Sequence, residues 1–349
     1  MLLVKKNRVV PLADLTTVIA CFPHLSHVHL GDNSAEMVDD AFLTHLAVAC
    51  PKLVSLHIGK GITKQWNQMG GKGFSVTTAG LVRCCTQLQH LSLYRLHSYE
   101  YLPTSLPNLT HLRTLGLTHA APLQVLEFTR LTSLTALALD IPDDADLDFA
   151  TCCEELERLP DDIGDRLPRL RDLSICECKK MSELPKQFTA LSCLQQLTIS
   201  SCSLITLPES FGWLPALKAL TLSHVQVRGL PASFHQLTSL EAFNLLRCGN
   251  SFSFPAAFGD LAALQCLYIL KGPYAMLPDH IGGLINLHTL HLSSSFPQQL
   301  LPSSFTHLTS LTRLELVECG IVELPGDLGN LSSLRELIIQ PFSDITEIP

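Results

Sequence analysis

The chain has 349 residues, 46% of them hydrophobic and only 16% charged, with a mean hydropathy of +0.26. That is too apolar for a disordered chain, yet no stretch approaches the ~18 uninterrupted apolar residues of a membrane span. A net charge of −8 and a pI near 6.0 weigh against a protein held to nucleic acid through phosphates.

The opening MLLVKKNRVVPLADLTTVIA is broken by Lys5, Lys6, Arg8 and Asp14, which makes it a poor secretory leader. Beyond it come short segments that alternate apolar and polar residues. CFPHLSHVHL, ACPKLVSLHI and VTTAGLVRCCTQLQHLSL each end in a period-two run that predicts a strand. Counted from their first leucines, Leu25, Leu53, Leu88, Leu112 and Leu134, these phrases step by 28, 35, 24 and 22 residues. Two insertions interrupt them. Residues 60–76 are Gly-rich and carry Trp66. Residues 140–165 are acidic, with Asp143, Asp144, Asp146, Asp148, Glu154 and Glu155 among them.

After the acidic break the spacing becomes regular. The first leucines are Leu170, Leu194, Leu217, Leu240, Leu264, Leu287, Leu311 and Leu334, so every step is 23 or 24 residues by subtraction. Each phrase reads L-x-x-L-x-L, as in Leu217, Leu220 and Leu222. A cysteine often follows three residues after the last inward residue, at Cys178, Cys202, Cys248 and Cys319. Then comes L-P-x-x-F, as in Leu207-Pro208 to Phe211 and Leu230-Pro231 to Phe234. Proline suits the first turn of a short helix, where its missing N–H would be unpaired.

A fixed period in this range resembles the leucine-rich repeat family. The resemblance implies an α/β solenoid: a parallel sheet on a concave side, short helices or turns on a convex side, and one continuous core that grows along a line. The expected organisation is a single solenoid over 1–349. It divides into irregular repeats at 1–139, an acidic insertion at 140–165 and regular repeats at 166–349. The regular repeats resemble the LPxxF subtype of plant disease-resistance receptors and Ras-scaffold proteins. The earlier ones resemble the cysteine-containing subtype of F-box proteins. The chain stops at Ile348-Pro349, where a further repeat would open, and no polar capping repeat closes either end. The expectation is a piece of a longer protein or an incomplete gene product.

Chemistry is sparse. Gly70 to Thr78, GGKGFSVTT, fails the phosphate-loop spacing and reads as a surface loop. Asp144, Asp146, Asp148 and Glu155 mimic positions of a calcium loop, but Phe149 stands where the sharp turn needs glycine. Cys176, Cys178 and Cys202 lack paired zinc spacing and read as packing residues. No nucleophile elbow, metalloprotease helix, kinase set or dinucleotide fingerprint occurs. The sequence therefore predicts no enzyme, no cofactor and no metal.

Two groups on the expected concave face stand out. His27, His29, His57 and His90 fall between strand leucines in the early repeats. They form a possible histidine cluster for metal or pH sensing, against the competing reading of ordinary polar surface. Later, Leu246, Tyr268 and Leu270 form an apolar group on neighbouring strands, followed by His291, Arg313 and Glu315. Apolar residues rimmed by polar ones mark partner sites, and Tyr is a frequent anchor. The competing reading is that they cover a neighbouring loop. The 13 cysteines, an odd count without cap-like clusters, point to reduced thiols and a cytoplasmic or nuclear protein. The sequence thus predicts a protein-binding module that meets another protein through its concave face, without nucleic acid or membrane. Its setting would be an immune-type receptor or scaffold, with an F-box ubiquitin-ligase adaptor as the alternative. Oligomeric state is not encoded in any of these patterns.

Overall fold

A computed structural model describes residues 2–4, 12–30, 40–58, 85–93, 109–117, 131–139, 156–249, 252–272, 277–293, 301–319 and 324–340. The chain divides into two units, Met1–Cys178 and Lys179–Pro349.

In the first unit, the described strands are β1 (Leu2–Val4), β2 (His27–Leu30), β3 (Ser55–Ile58), β4 (His90–Leu93), β5 (Thr114–Leu117), β6 (Ala136–Leu139) and β7 (Asp172–Cys176). Each pairs in parallel with the next in chain order. Register aligns Val28, Leu56, Leu91, Leu115, Leu137 and Leu173 in one inward row, all essentially without solvent contact. The period-two pattern causes this, because alternate side chains of a strand leave opposite faces. The connections between early strands are α-helices: α1 (Leu12–Ala20) and α2 (Asp40–Ala49). The 28-residue step from Leu25 to Leu53 gives room for α2, and α1 lies between the register partners Leu2 and Val28. A short third helix, α3 (Ile163–Arg166), precedes β7.

The second unit holds β8 (Gln196–Ser200), β9 (Ala219–Ser223), β10 (Ala242–Leu246), β11 (Cys266–Leu270), β12 (Thr289–Ser293), β13 (Arg313–Val317) and β14 (Glu336–Gln340), again parallel and in chain order. Its two inward rows run Leu197, Leu220, Phe243, Leu267, Leu290, Leu314 and Ile199, Leu222, Leu245, Ile269, Leu292, Leu316, each buried. No repeat could bury these alone. Each fully buried leucine stabilises by roughly 1.5–3 kcal/mol.

Opposite the strands, the shorter steps leave room only for 3₁₀ turns, at Glu209–Trp213, Ala232–Gln236, Ala256–Asp260 and Ser303–His307 among others. The sequence placed proline inside the first turn, but it stands one position earlier. Pro208, Pro231, Pro255 and Pro302 have φ between −60° and −67° with extended ψ near 150°. Each carbonyl accepts the N–H of the phenylalanine three residues on, at 2.8–3.0 Å. The fixed proline φ serves this cap as well as it would serve a helical residue. The phenylalanines so positioned stack in file: Phe188, Phe211, Phe234 and Phe258 have neighbouring ring centroids 6.2–6.4 Å apart.

The cysteines close the turn that leaves each strand. Cys178, Cys202, Cys248 and Cys319 are buried, and each thiol donates to the carbonyl two residues before it. Cys248 and Cys319 also reach the strand of an earlier repeat, at Leu222 O (3.4 Å) and Leu292 O (3.1 Å). Cys176 lies beside the Ser174 hydroxyl at 3.5 Å. A thiol is small enough to be buried and still carries a weak donor.

Candidate functional site

Strand alternation sends the residues between the leucines to the solvent-facing side of the sheet. In the second unit, register sorts them into three rows. One runs Ala242, Cys266, Thr289, Arg313, Glu336. The next runs Asn244, Tyr268, His291, Glu315, Ile338. The third runs Leu246, Leu270, Ser293, Val317, Gln340.

Leu246 and Leu270 are direct register partners. Tyr268 lies two residues before Leu270 on the same face. All three are half-buried. The Tyr268 ring tilts against His291 at a centroid separation of 6.0 Å and 56°. His291 Nδ1 is 3.1 Å from Glu315 Oε2. The Arg313 guanidinium donates to the other Glu315 oxygen and, at 2.5 Å, to Glu336. All six sequence-chosen residues therefore lie on neighbouring strands, and the charged ones form one network. Glu336 completes it, a role the sequence could not show because it depends on side-chain reach. Asn244 adds a further cross-strand bond, donating to Thr221 Oγ1 at 3.1 Å.

The hydrogen bond that the Arg313 guanidinium donates to Glu315, aided by the charges of Glu315 and Glu336, holds Arg313 above its usual range, against the opposing effect of desolvation. Arg313 is thus a neutralised centre between two carboxylates and offers no open anion site. Chemically, the face presents an apolar and aromatic group at β10 and β11, then a fixed polar network at β12 to β14. This is a surface for side-chain complementarity.

The histidines of the first unit fall into two rows. His29 and His57 are register partners with rings stacked at 4.2 Å and 11°. His27 and His90 share the other row, with Ser55 between them. His27 Nδ1 bonds Ser26 Oγ at 2.8 Å, and His90 Nδ1 bonds Thr114 Oγ1 at 2.9 Å. The near-parallel planes of His29 and His57 do not converge on one point, as in-plane lone pairs would need to in order to share an ion. Among the described residues, no group of three or more His, Cys, Asp or Glu side chains is placed to hold a metal. Trp66, the segment Gly70 to Thr78, Asp144, Asp146, Asp148, Phe149 and Glu155 lie outside the described residues.

Residues 147–271 match the family described as leucine-rich repeat region. Both units carry the leucine-rich repeat fold. Among solved structures, this chain is similar to a leucine-rich repeat protein of Leptospira interrogans, with 25% identity and a TM-score of 0.56, over 78% of this chain and 71% of that one. An internalin of Listeria monocytogenes matches at 16% identity and TM-score 0.60, over 98% of this chain and 88% of its own. The plant peptide hormone receptor RGFR1, solved in complex with RGF2, matches at 22% identity and TM-score 0.53, over 83% of this chain and 48% of the receptor. The last two likenesses concern fold alone. No curated protein matches the sequence. Among the described residues, no helix is long and apolar enough to cross a membrane.

Proposed function

We propose that this leucine-rich repeat chain is a non-catalytic protein-interaction module that binds a protein partner on the solvent-facing side of its second-unit sheet. The observation that carries this reading is the apolar group of Leu246, Leu270 and Tyr268. It is half-buried, lies on the side of the sheet that the core does not use, and borders the His291–Glu315–Arg313 network. A large aromatic side chain on a rigid strand, next to aliphatic neighbours and ringed by polar groups, is the composition of an interface anchor. Affinity capture with the full chain tests it. The double variant Tyr268→Ala, Leu270→Ser loses the partner, while a variant that keeps every interaction contradicts the reading.

Within that class, we assign the chain to the recognition region of an intracellular immune-type receptor or signalling scaffold. The regular L-P-x-x-F repeats and their 3₁₀ turns support this. An intracellular, reducing site is supported by the thiols of Cys178, Cys202, Cys248 and Cys319, which act as turn donors. Oxidation to disulfides would forfeit those bonds. A second reading, substrate adaptor of a ubiquitin ligase, is favoured by α1 and α2, which give the early repeats helices unlike the later turns. Co-purification with a ubiquitin-ligase scaffold would decide for the adaptor. A nucleotide-binding domain in the full transcript would decide for the receptor.

A further inference from the structure

One edge of the second unit carries a feature that the interaction face alone does not explain. The residue directly after five of its strands, β8 to β11 and β13, adopts a left-handed backbone: Ser201 (φ 52°), His224 (51°), Arg247 (48°), Lys271 (50°) and Glu318 (53°). Non-glycine residues rarely take this conformation. It persists here because each N–H is tied to the end of the next strand. His224 donates to Leu246 O at 2.8 Å, Arg247 to Leu270 O at 3.0 Å and Lys271 to Ser293 O at 2.6 Å. The backbone bonds lock these residues into a file at the ends of the strands they follow.

Three consecutive members of that file are His224, Arg247 and Lys271, all exposed. Among the described residues, neither Arg247 nor Lys271 has an ion pair. At strand spacing, two steps of the file span about 10 Å, the reach of about three extended residues. Two of the three directly follow Leu246 and Leu270. The fixed charges of Arg247 and Lys271, one strand spacing apart, repel one another, and an anionic occupant would offset that repulsion.

We propose that the His224–Arg247–Lys271 file binds a short acidic segment of a partner protein whose adjoining apolar side chain rests on Leu246, Leu270 and Tyr268. This inference rests on the protein-interaction reading and adds the chemistry of the partner. Charge complementarity selects the occupant. A long polyanion such as RNA fits poorly, because the same file continues to Glu318 and the face beyond β12 carries Glu315 and Glu336. An acidic run of a few residues matches the cationic stretch and stops before the carboxylates begin.

The test is selection of a random peptide library displayed on phage against the full chain and against Arg247→Glu, Lys271→Glu. Glutamate is compatible with this backbone position, since Glu318 already occupies it at φ 53°, and unchanged thermal unfolding would confirm that the variant folds. The expected result is enrichment of peptides with an acidic run beside an apolar residue, binding that weakens as salt rises, and loss of the acidic bias on the charge-reversed variant. The same acidic peptides on both proteins would overturn the proposal, as would displacement of the peptides by random single-stranded RNA. Peptides without acidic bias that are still lost with Tyr268→Ala, Leu270→Ser would overturn this inference and leave the interaction module standing. No enrichment at all would overturn both.

Discussion

Gly212 donates its backbone N–H to the Ser233 hydroxyl at 3.2 Å, and that approach leaves no room for a side chain at position 212. The Ser233 hydroxyl in turn donates to the Glu209 carbonyl, so one serine joins two successive turns. Gly282 repeats the close approach at Ser304, its N–H donating to that hydroxyl at 3.3 Å. A Cβ on Gly212 would overlap the Ser233 carbonyl oxygen, which is backbone and cannot swing aside. Gly212→Ala is therefore expected to destabilise by about 1–3 kcal/mol through overpacking. Gly326, with nothing within 4 Å of an added Cβ, is the control: Gly326→Ala leaves the denaturant midpoint nearly unchanged. Equal midpoints for the two variants would contradict this packing.

Leu267 lies at the centre of an inward row, between Phe243 and Leu290, with no exposure. Leu267→Ala is expected to destabilise by about 2–5 kcal/mol, the transfer loss plus a cavity that its neighbours only partly fill. Trp213 is equally apolar but 61% exposed, and Trp213→Ala shifts the unfolding curve far less. Chemical denaturation of both variants checks the inward and outward assignments together.

These two positions show what could be read from the chain before its structure. Leu267 is legible because strand periodicity is two, so the leucine pattern states which face is buried. The six candidate residues around Tyr268 follow from the same pattern. The histidines were less legible. Alternation puts all four on one face, but only register shows that Ser55 separates His27 from His90 while His29 stacks on His57. β1 was missed because three residues, Leu2–Val4, carry no period. The cationic file was hidden because Arg, Lys and His carry no signal for a left-handed backbone, which tertiary hydrogen bonds impose. Glu336 closing on Arg313 depends on rotamers, which no spacing rule reports.

Ser201 tests the left-handed file apart from its charge. Its φ of 52° is held by an N–H bond to Ser223 O at 2.8 Å. Ser201→Val places a β-branched side chain where Cβ crowding is worst and is expected to destabilise by about 1–2 kcal/mol. Ser201→Gly removes that crowding and leaves stability unchanged or slightly raised, within about 1 kcal/mol. Thermal unfolding with the opposite order of the two variants would contradict the assigned backbone.

The thiols separate by exposure. Cys21 and Cys193 are exposed, whereas Cys50, Cys178 and Cys248 are buried. Iodoacetamide on the folded protein is expected to label the first two, and the buried three only after denaturation; mass spectrometry of the peptides reads the result. Burial also pushes the Cys50 thiol up from its ordinary value. The folded state therefore keeps a proton that the unfolded state loses first. That contribution to stability is fully present below the unfolded thiol value and is lost as pH rises through the folded one. Cys50→Ser is expected to flatten that alkaline decline.

The most direct measurement is site-specific photo-crosslinking in cells of the full chain, with benzoylphenylalanine introduced in place of Tyr268 or, separately, of Trp213. The account predicts discrete protein adducts from position 268, reduced when Leu270→Ser is added, and none of the same adducts from position 213. Adducts confined to position 213, or none from position 268, would contradict a partner-binding role for the solvent-facing side of the sheet.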